Sequence, residues 1–189
     1  MDNTVRIATR EDQDEVMQLL HMLHAEGGLM PFNEQRAAEM FERAYNREGG
    51  ILGVIGESGD IQGMIYLLIS RFWYTEQNHL EELFNFVRPD VRENGKRYAQ
   101  SMIEFAKKCS DEIGIPLVIG VLTNTRMAGK VRFYRRFLGY PTGAFFVHNA
   151  KWQQAEANED FWRPAFPRIR TGDLKKGKGG YERRPITRQ

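Results

Sequence analysis

From His79 to Leu122 the chain reads strand, polar loop, helix, strand, and that order leaves few folds open. His79 to Val87 is rich in apolar and aromatic residues, and Pro89 ends its pairing because it lacks an amide proton. Asp90 to Arg97 is a polar loop. Ala99, Met102, Ile103 and Ala106 then recur at helical spacing, and Gly114 and Pro116 stop the helix. Leu117 to Leu122 is a continuous apolar run, the pattern of a strand buried on both faces. A strand, a crossover helix and a second strand form a right-handed unit, so these two strands are predicted to be parallel.

Upstream, Val5 to Ala8 is a short first strand. Thr9 with Asp12 resembles a capping box. Val16, Leu19, Leu20 and Leu23 mark a first helix that ends at Gly27-Gly28. A second runs from about Asn33 to Asn46. Ile51–Gly56, Ile61 to about Tyr74 and His79–Val87 form an antiparallel meander, turned at Ser58-Gly59-Asp60 and Glu76-Gln77-Asn78. Downstream, a helix spans roughly Met127 to Phe137 and a last strand Gly143 to Asn149. The expected fold class is α/β of the mixed α+β kind: a mostly antiparallel mixed sheet with a βαβ unit and helices on both faces.

No stretch approaches the ~18–20 apolar residues of a membrane helix, and the N-terminus lacks a basic and an apolar region. Cys109 is the lone cysteine, which rules out an internal disulfide and gives no metal-site spacing. A cytoplasmic location is the expectation, with no membrane partner. The net charge of +2 hides an asymmetry: from Arg163 to Gln189 nine Lys/Arg face only Asp173 and Glu182. A domain is expected over residues 1–150. Residues 151–189 are read as an extended or disordered basic C-terminal tail that docks through Phe161, Trp162 and Phe166.

The stretch Val87 to Ala99 carries the chemistry. A loop with Arg92, Lys96 and Arg97 runs into a helix N-terminus, where unpaired amides and the positive dipole end favour an anion such as a pyrophosphate. The alternative is a solvated basic turn that caps a helix.

This segment resembles the acetyl-coenzyme A signature of the GNAT acetyltransferase superfamily, "V-x-P-x-x-R/Q-x-x-G-x-G/A", here followed by Met102-Ile103 and Ala106. Phe133-Tyr134-Arg135-Arg136-Phe137-Leu138-Gly139-Tyr140 is similar to the family's "Y-x-x-x-G-F" ending. The resemblance covers about residues 4 to 149. Its preferred register sets Asn94 at the leading position, Arg97 at the first glycine and Ala99 at the second; the other places Arg92 and Gly95 at the leading position and first glycine.

The resemblance implies a sheet splayed between His79–Val87 and Leu117–Leu122, with acetyl-CoA in the opening and its pantetheine beside Phe86 and Val87. It also implies phosphate contacts from Arg92, Asn94, Gly95, Lys96, Arg97, Tyr98 and Ala99, with Asn124 and Lys130 nearby. Tyr134 matches the tyrosine that serves the coenzyme A sulfur. Glu81 and Glu82 are the candidate bases. Strict alternation puts Glu81 on the face of Leu83, Asn85 and Val87, so Glu81 is the preferred base; a cross-strand salt bridge is the competing role.

His79 and the Phe72-Trp73-Tyr74 cluster are candidate lining for an acceptor cleft. His21 and His24 lie one helical turn apart but lack partners for a metal, and no metal is expected. The implied activity is N-acetyl transfer to an unidentified amine, on a small molecule or a protein. Two other readings stay open: an inactive assembly module held together by its tail as a homo-oligomer, and nucleic-acid contact through the basic tail.

Overall fold

The computed structural model describes residues 3–92, 97–123, 126–145, 174–177 and 180–183. The chain begins with β1 (Arg6–Ile7) and a 3-10 turn (Arg10–Asp12), followed by α1 (Gln13–Gly27) and α2 (Glu34–Tyr45). Three strands follow: β2 (Gly50–Ile55), β3 (Gly63–Arg71) and β4 (Asn78–Val87). After a 3-10 turn at Pro89–Val91 come α3 (Tyr98–Ile113), β5 (Leu117–Ile119) and α4 (Met127–Leu138).

The sheet order is β1-β2-β3-β4-β5. The first three pairings are antiparallel and β4–β5 is parallel, as the strand–helix–strand order requires. Two apolar clusters sandwich the sheet. Val16, Leu19, Leu20 and Phe41 of α1 and α2 pack with Leu52, Val54, Met64 and Tyr66 on one face. Tyr98, Met102 and Ala106 of α3 pack with Ile65, Leu67 and Leu80 on the other, where Ile103 is also buried. The helical stripes read from the sequence are the buried ones.

Polar groups pin the ends of these elements. Asp12 is fully buried. Its carboxylate accepts from Arg6 (2.7 and 2.8 Å), the Ser58 hydroxyl (2.6 Å) and the Thr9 amide (2.8 Å). Burial alone would raise its pKa, but the hydrogen bonds from Arg6, Ser58 and Thr9 outweigh it and hold the group far below the usual carboxylate range. Glu15 accepts from the Gly59 and Ile61 amides (2.9 and 2.6 Å), tying α1 to the β2–β3 turn. Gly114 closes α3 in the left-handed region (φ 75°), which a residue without Cβ adopts freely.

Several elements differ from expectation. β3 ends at Arg71, so Phe72 to Tyr74 sit at the tip of the β3–β4 hairpin. β5 has three residues, all half-buried, because it lies at the sheet's edge and leaves β4 early. In the tail, Leu174–Gly177 (β6) pairs antiparallel with Gly180–Arg183 (β7), a hairpin where an unpaired segment was expected. Gly143 to Phe145 form no strand, and Phe146 to Asn149 lie outside the described residues.

Candidate active site

β4 and β5 pair only from Leu80–Leu117 to Glu82–Ile119. At the same level β4 changes register against β3: Leu67 faces Glu82, Tyr66 faces Phe84, and Leu83 is the extra residue of a bulge. Bulges bend a strand and re-aim its side chains. Beyond Glu82 no described strand covers that edge of β4. A cleft of about 820 Å³ opens there. It is bounded by the second half of β4, the start of α3, Gly120 to Thr123, α4, and the stretch from Leu20 through Asn33 to Arg36.

The bulge breaks the alternation on which the preference for Glu81 rests. Leu68, opposite Glu81, packs with the α1/α2 cluster, whereas Leu67, opposite Glu82, belongs to the α3 cluster. Asn85, opposite Ile65, is also on the α3 face. Glu82, not Glu81, therefore shares a face with Asn85 and Val87, because the extra residue breaks the alternation. Glu82 is 5% exposed and lines the cleft, whereas Glu81 does not line it.

Tyr134 of α4 reaches across the opening, and its hydroxyl donates to both Glu82 oxygens at 3.3 Å. Burial pushes the Glu82 carboxyl up to about 8, against the Tyr134 hydrogen bond and the Lys130 charge, which oppose the shift. The Tyr134 phenol is held well above its ordinary value by burial first and by the adjacent Glu82 second. Burial also lowers the Lys130 pKa, and its ammonium lies 3.4 Å from the Thr123 hydroxyl. A carboxyl with a raised pKa hydrogen-bonded to a protonated phenol is an arrangement through which a proton can pass.

Further along the cleft, Arg92 folds back over the end of β4. Its Nε donates to the Val87 carbonyl (2.7 Å), its Nη1 pairs with Glu26 of α1 (2.8 Å), and its guanidinium lies 4.9 Å from the Phe86 ring centre. Tyr98 and Ala99 open α3 and also line the cleft, while Arg97, the N-cap, is exposed with no side-chain capping bond. Phe86, Val87, Arg92, Tyr98, Ala99, Lys130 and Tyr134 thus gather around one opening. Asn94, Gly95, Lys96 and Asn124 lie outside the described residues.

Other candidates fall elsewhere. His79 is buried and stacked on Phe72 (4.4 Å between ring centres), away from the cleft lining, as are Trp73 and Tyr74. His24 lines the cleft, but its Nε2 is engaged with the Met30 carbonyl at 2.6 Å, and His21 lies 3.8 Å from Glu34. Among the described residues no group of three potential metal ligands occurs. Glu26, Asn85, Thr123 and Arg36 escaped the sequence reading. No local pattern marks them; only the fold brings Glu26 to a residue 66 positions away.

No family model matches this chain, and no curated protein matches it in sequence. Solved structures do. A predicted acetyltransferase with acetyl-CoA from Clostridium acetobutylicum superposes with TM-score 0.61 at 14% identity, covering 77% of this chain and 95% of that one. The ribosomal-protein-alanine N-acetyltransferase of Brucella melitensis biovar Abortus gives 0.59 at 15%, covering 76% and 96%. The aminoglycoside 6'-N-acetyltransferase of Acinetobacter haemolyticus gives 0.57 at 13%, covering 81% and 99%. The fold is thus one shared with solved acetyltransferases. More narrowly, this chain has the GNAT fold, shared with a GNAT family acetyltransferase of Staphylococcus aureus at TM-score 0.53 and 14% identity.

Proposed function

We propose that the protein transfers an acetyl group from acetyl-CoA to an amine. The observation that carries this reading is the Glu82–Tyr134 pair, 3.3 Å apart, where β4 and β5 part. A thioester-bearing arm fits the opening. One edge of β4 beyond Glu82 lacks a described strand, and the Nδ2 of Asn85, a cleft residue, is buried without a hydrogen-bond partner among the described residues. Arg92 and the first turn of α3, with Tyr98 and Ala99, would hold the phosphates, joined by Asn94, Gly95, Lys96 and Arg97. Asn124 and Lys130 would flank the arm beside Phe86 and Val87. Residues 1–150 would carry the activity and 151–189 would be an appendage.

Acetyl-CoA supplies an acyl group on a good leaving thiolate. Glu82, ionised, takes a proton from the acceptor ammonium and frees the nitrogen lone pair for attack at the acyl carbon. Tyr134 gives its proton to the departing sulfur as the carbon–sulfur bond breaks. Its hydrogen bond to Glu82 is a direct path by which the proton taken from the ammonium replaces the one given up, and the attacking nitrogen releases its second proton to solvent as the tetrahedral adduct collapses to the amide. Enclosure of the pair strengthens each of these interactions.

Calorimetric titration with acetyl-CoA, followed by thiol release in the presence of amines, tests the reading. Micromolar binding is expected. Glu82→Gln should lower kcat by about 10²–10⁴-fold while acetyl-CoA affinity is retained. Because the base must be ionised, kcat/KM should rise with pH and level off above about 8. No binding at millimolar acetyl-CoA would overturn the reading.

A further inference from the structure

α3 packs on one face of the sheet and α1 and α2 on the other. The phosphates of the acyl donor belong at the α3 side, near Arg92 and Ala99, which leaves the wall from Leu23 to Arg36 for the acceptor. That wall is largely apolar, with Leu23, Met30 and Phe32. His24 on it is already bound to the Met30 carbonyl.

Among the described lining residues only Glu26 and Glu82 are acidic. Glu26 is bound to Arg92, and Glu82 belongs to the reacting centre. Four cations line the same space: Arg36, Arg92, Arg126 and Lys130. Arg36 is exposed on the acceptor wall, and its guanidinium makes no hydrogen bond or ion pair among the described residues. A second ammonium on the acceptor would find no open carboxylate among the described lining residues and would face like charge, which disfavours it in a partly enclosed site. A carboxylate on the acceptor would instead meet the guanidinium fork.

We infer that the acceptor is a small monoamine carrying a carboxylate on an apolar skeleton, that Arg36 holds this carboxylate, and that polycationic amines are rejected. The inference rests on the acetyl-transfer reading above. The test uses the full chain saturated with coenzyme A and titrated with L-phenylalanine and L-leucine, their amides, and spermidine, alongside turnover with acetyl-CoA. Each acid should bind at least tenfold more tightly than its amide, and spermidine should not bind. Arg36→Ala should erase the acid–amide difference with acetyl-CoA affinity unchanged, and Arg36→Lys should restore part of it. Equal binding of acid and amide, binding of spermidine, no binding of any of the five, or discrimination that survives in Arg36→Ala would each overturn the assignment. Failure of acetyl-CoA to bind would remove the acetyl-transfer reading itself. Acetyl-CoA binding with spermidine as the better acceptor would remove only the acceptor class.

Discussion

Glu82 owes its place to Leu83, a residue with no chemistry of its own. Were the strand regular, Glu81 would share the face of Asn85 and Val87, and Glu82 would point toward α1 and α2. The bulge reverses this. The two adjacent glutamates should therefore separate sharply in an assay. Glu81→Gln is expected to keep kcat within about twofold, while Glu82→Gln loses the two to four decades expected of a general base; steady-state kinetics on both variants decides. Asn85 makes a second residue-scale case. Its buried Nδ2 has no partner among the described residues, and replacing such a donor with an apolar group of similar shape relieves a penalty of about 1–3 kcal/mol. Asn85→Leu is expected to raise the urea midpoint, and a lowered midpoint would show that the amide is satisfied.

At the scale of elements, the sequence was most legible where periodicity and punctuation agreed. The helical stripes of α1 and α3 and the parallel β4–β5 pair followed from spacing, Gly114, Pro116 and crossover handedness. What it hid was an event two strands wide. A bulge appears only when the register of β4 is compared with β3, and no residue in Glu81-Glu82-Leu83-Phe84 announces it. The length of β5 was misread for a related reason: Leu117 to Leu122 is apolar throughout, yet Val121 and Leu122 line the cleft and pair with no described strand. Their apolarity serves the opening, not a ladder. Arg92, read in the sequence as a phosphate contact, also pairs with Glu26 and donates to the Val87 carbonyl, and the Glu26 contact has no local signal in the sequence. Deleting Leu83 leaves Glu82 and Phe84 on their present faces and removes only the kink. The deletion is expected to preserve the thermal unfolding midpoint within a few degrees and to weaken acetyl-CoA binding at least tenfold, read by calorimetry. Retained binding would separate the opening of the cleft from the bulge.

For the whole molecule, two buried carboxylates, Asp12 before α1 and Glu82 in the middle of β4, make stability depend on pH in opposite senses. Asp12 is held low by Arg6, Ser58 and Thr9. Its contribution is fully present above the unfolded value of about 4 and is lost as pH falls below it. Glu82 is raised to about 8 by burial. Between roughly 4.3, its unfolded value, and 8, the folded protein holds a proton that the unfolded chain has released. Stability from this group therefore falls as pH rises through that window, with a limiting slope of about 1.4 kcal/mol per pH unit, and levels off above 8. The sum is a stability maximum on the acid side of neutrality. Urea unfolding from pH 3 to 9 should show both limbs in the wild type. Glu82→Gln should flatten the limb between pH 5 and 8 and leave the acid limb. Asp12→Asn should lower stability and flatten the acid limb, leaving the neutral one. If Glu82→Gln left the neutral limb unchanged, the carboxyl would titrate alike in folded and unfolded chains. It would then lack the raised pKa on which its proposed role as a base near neutrality depends.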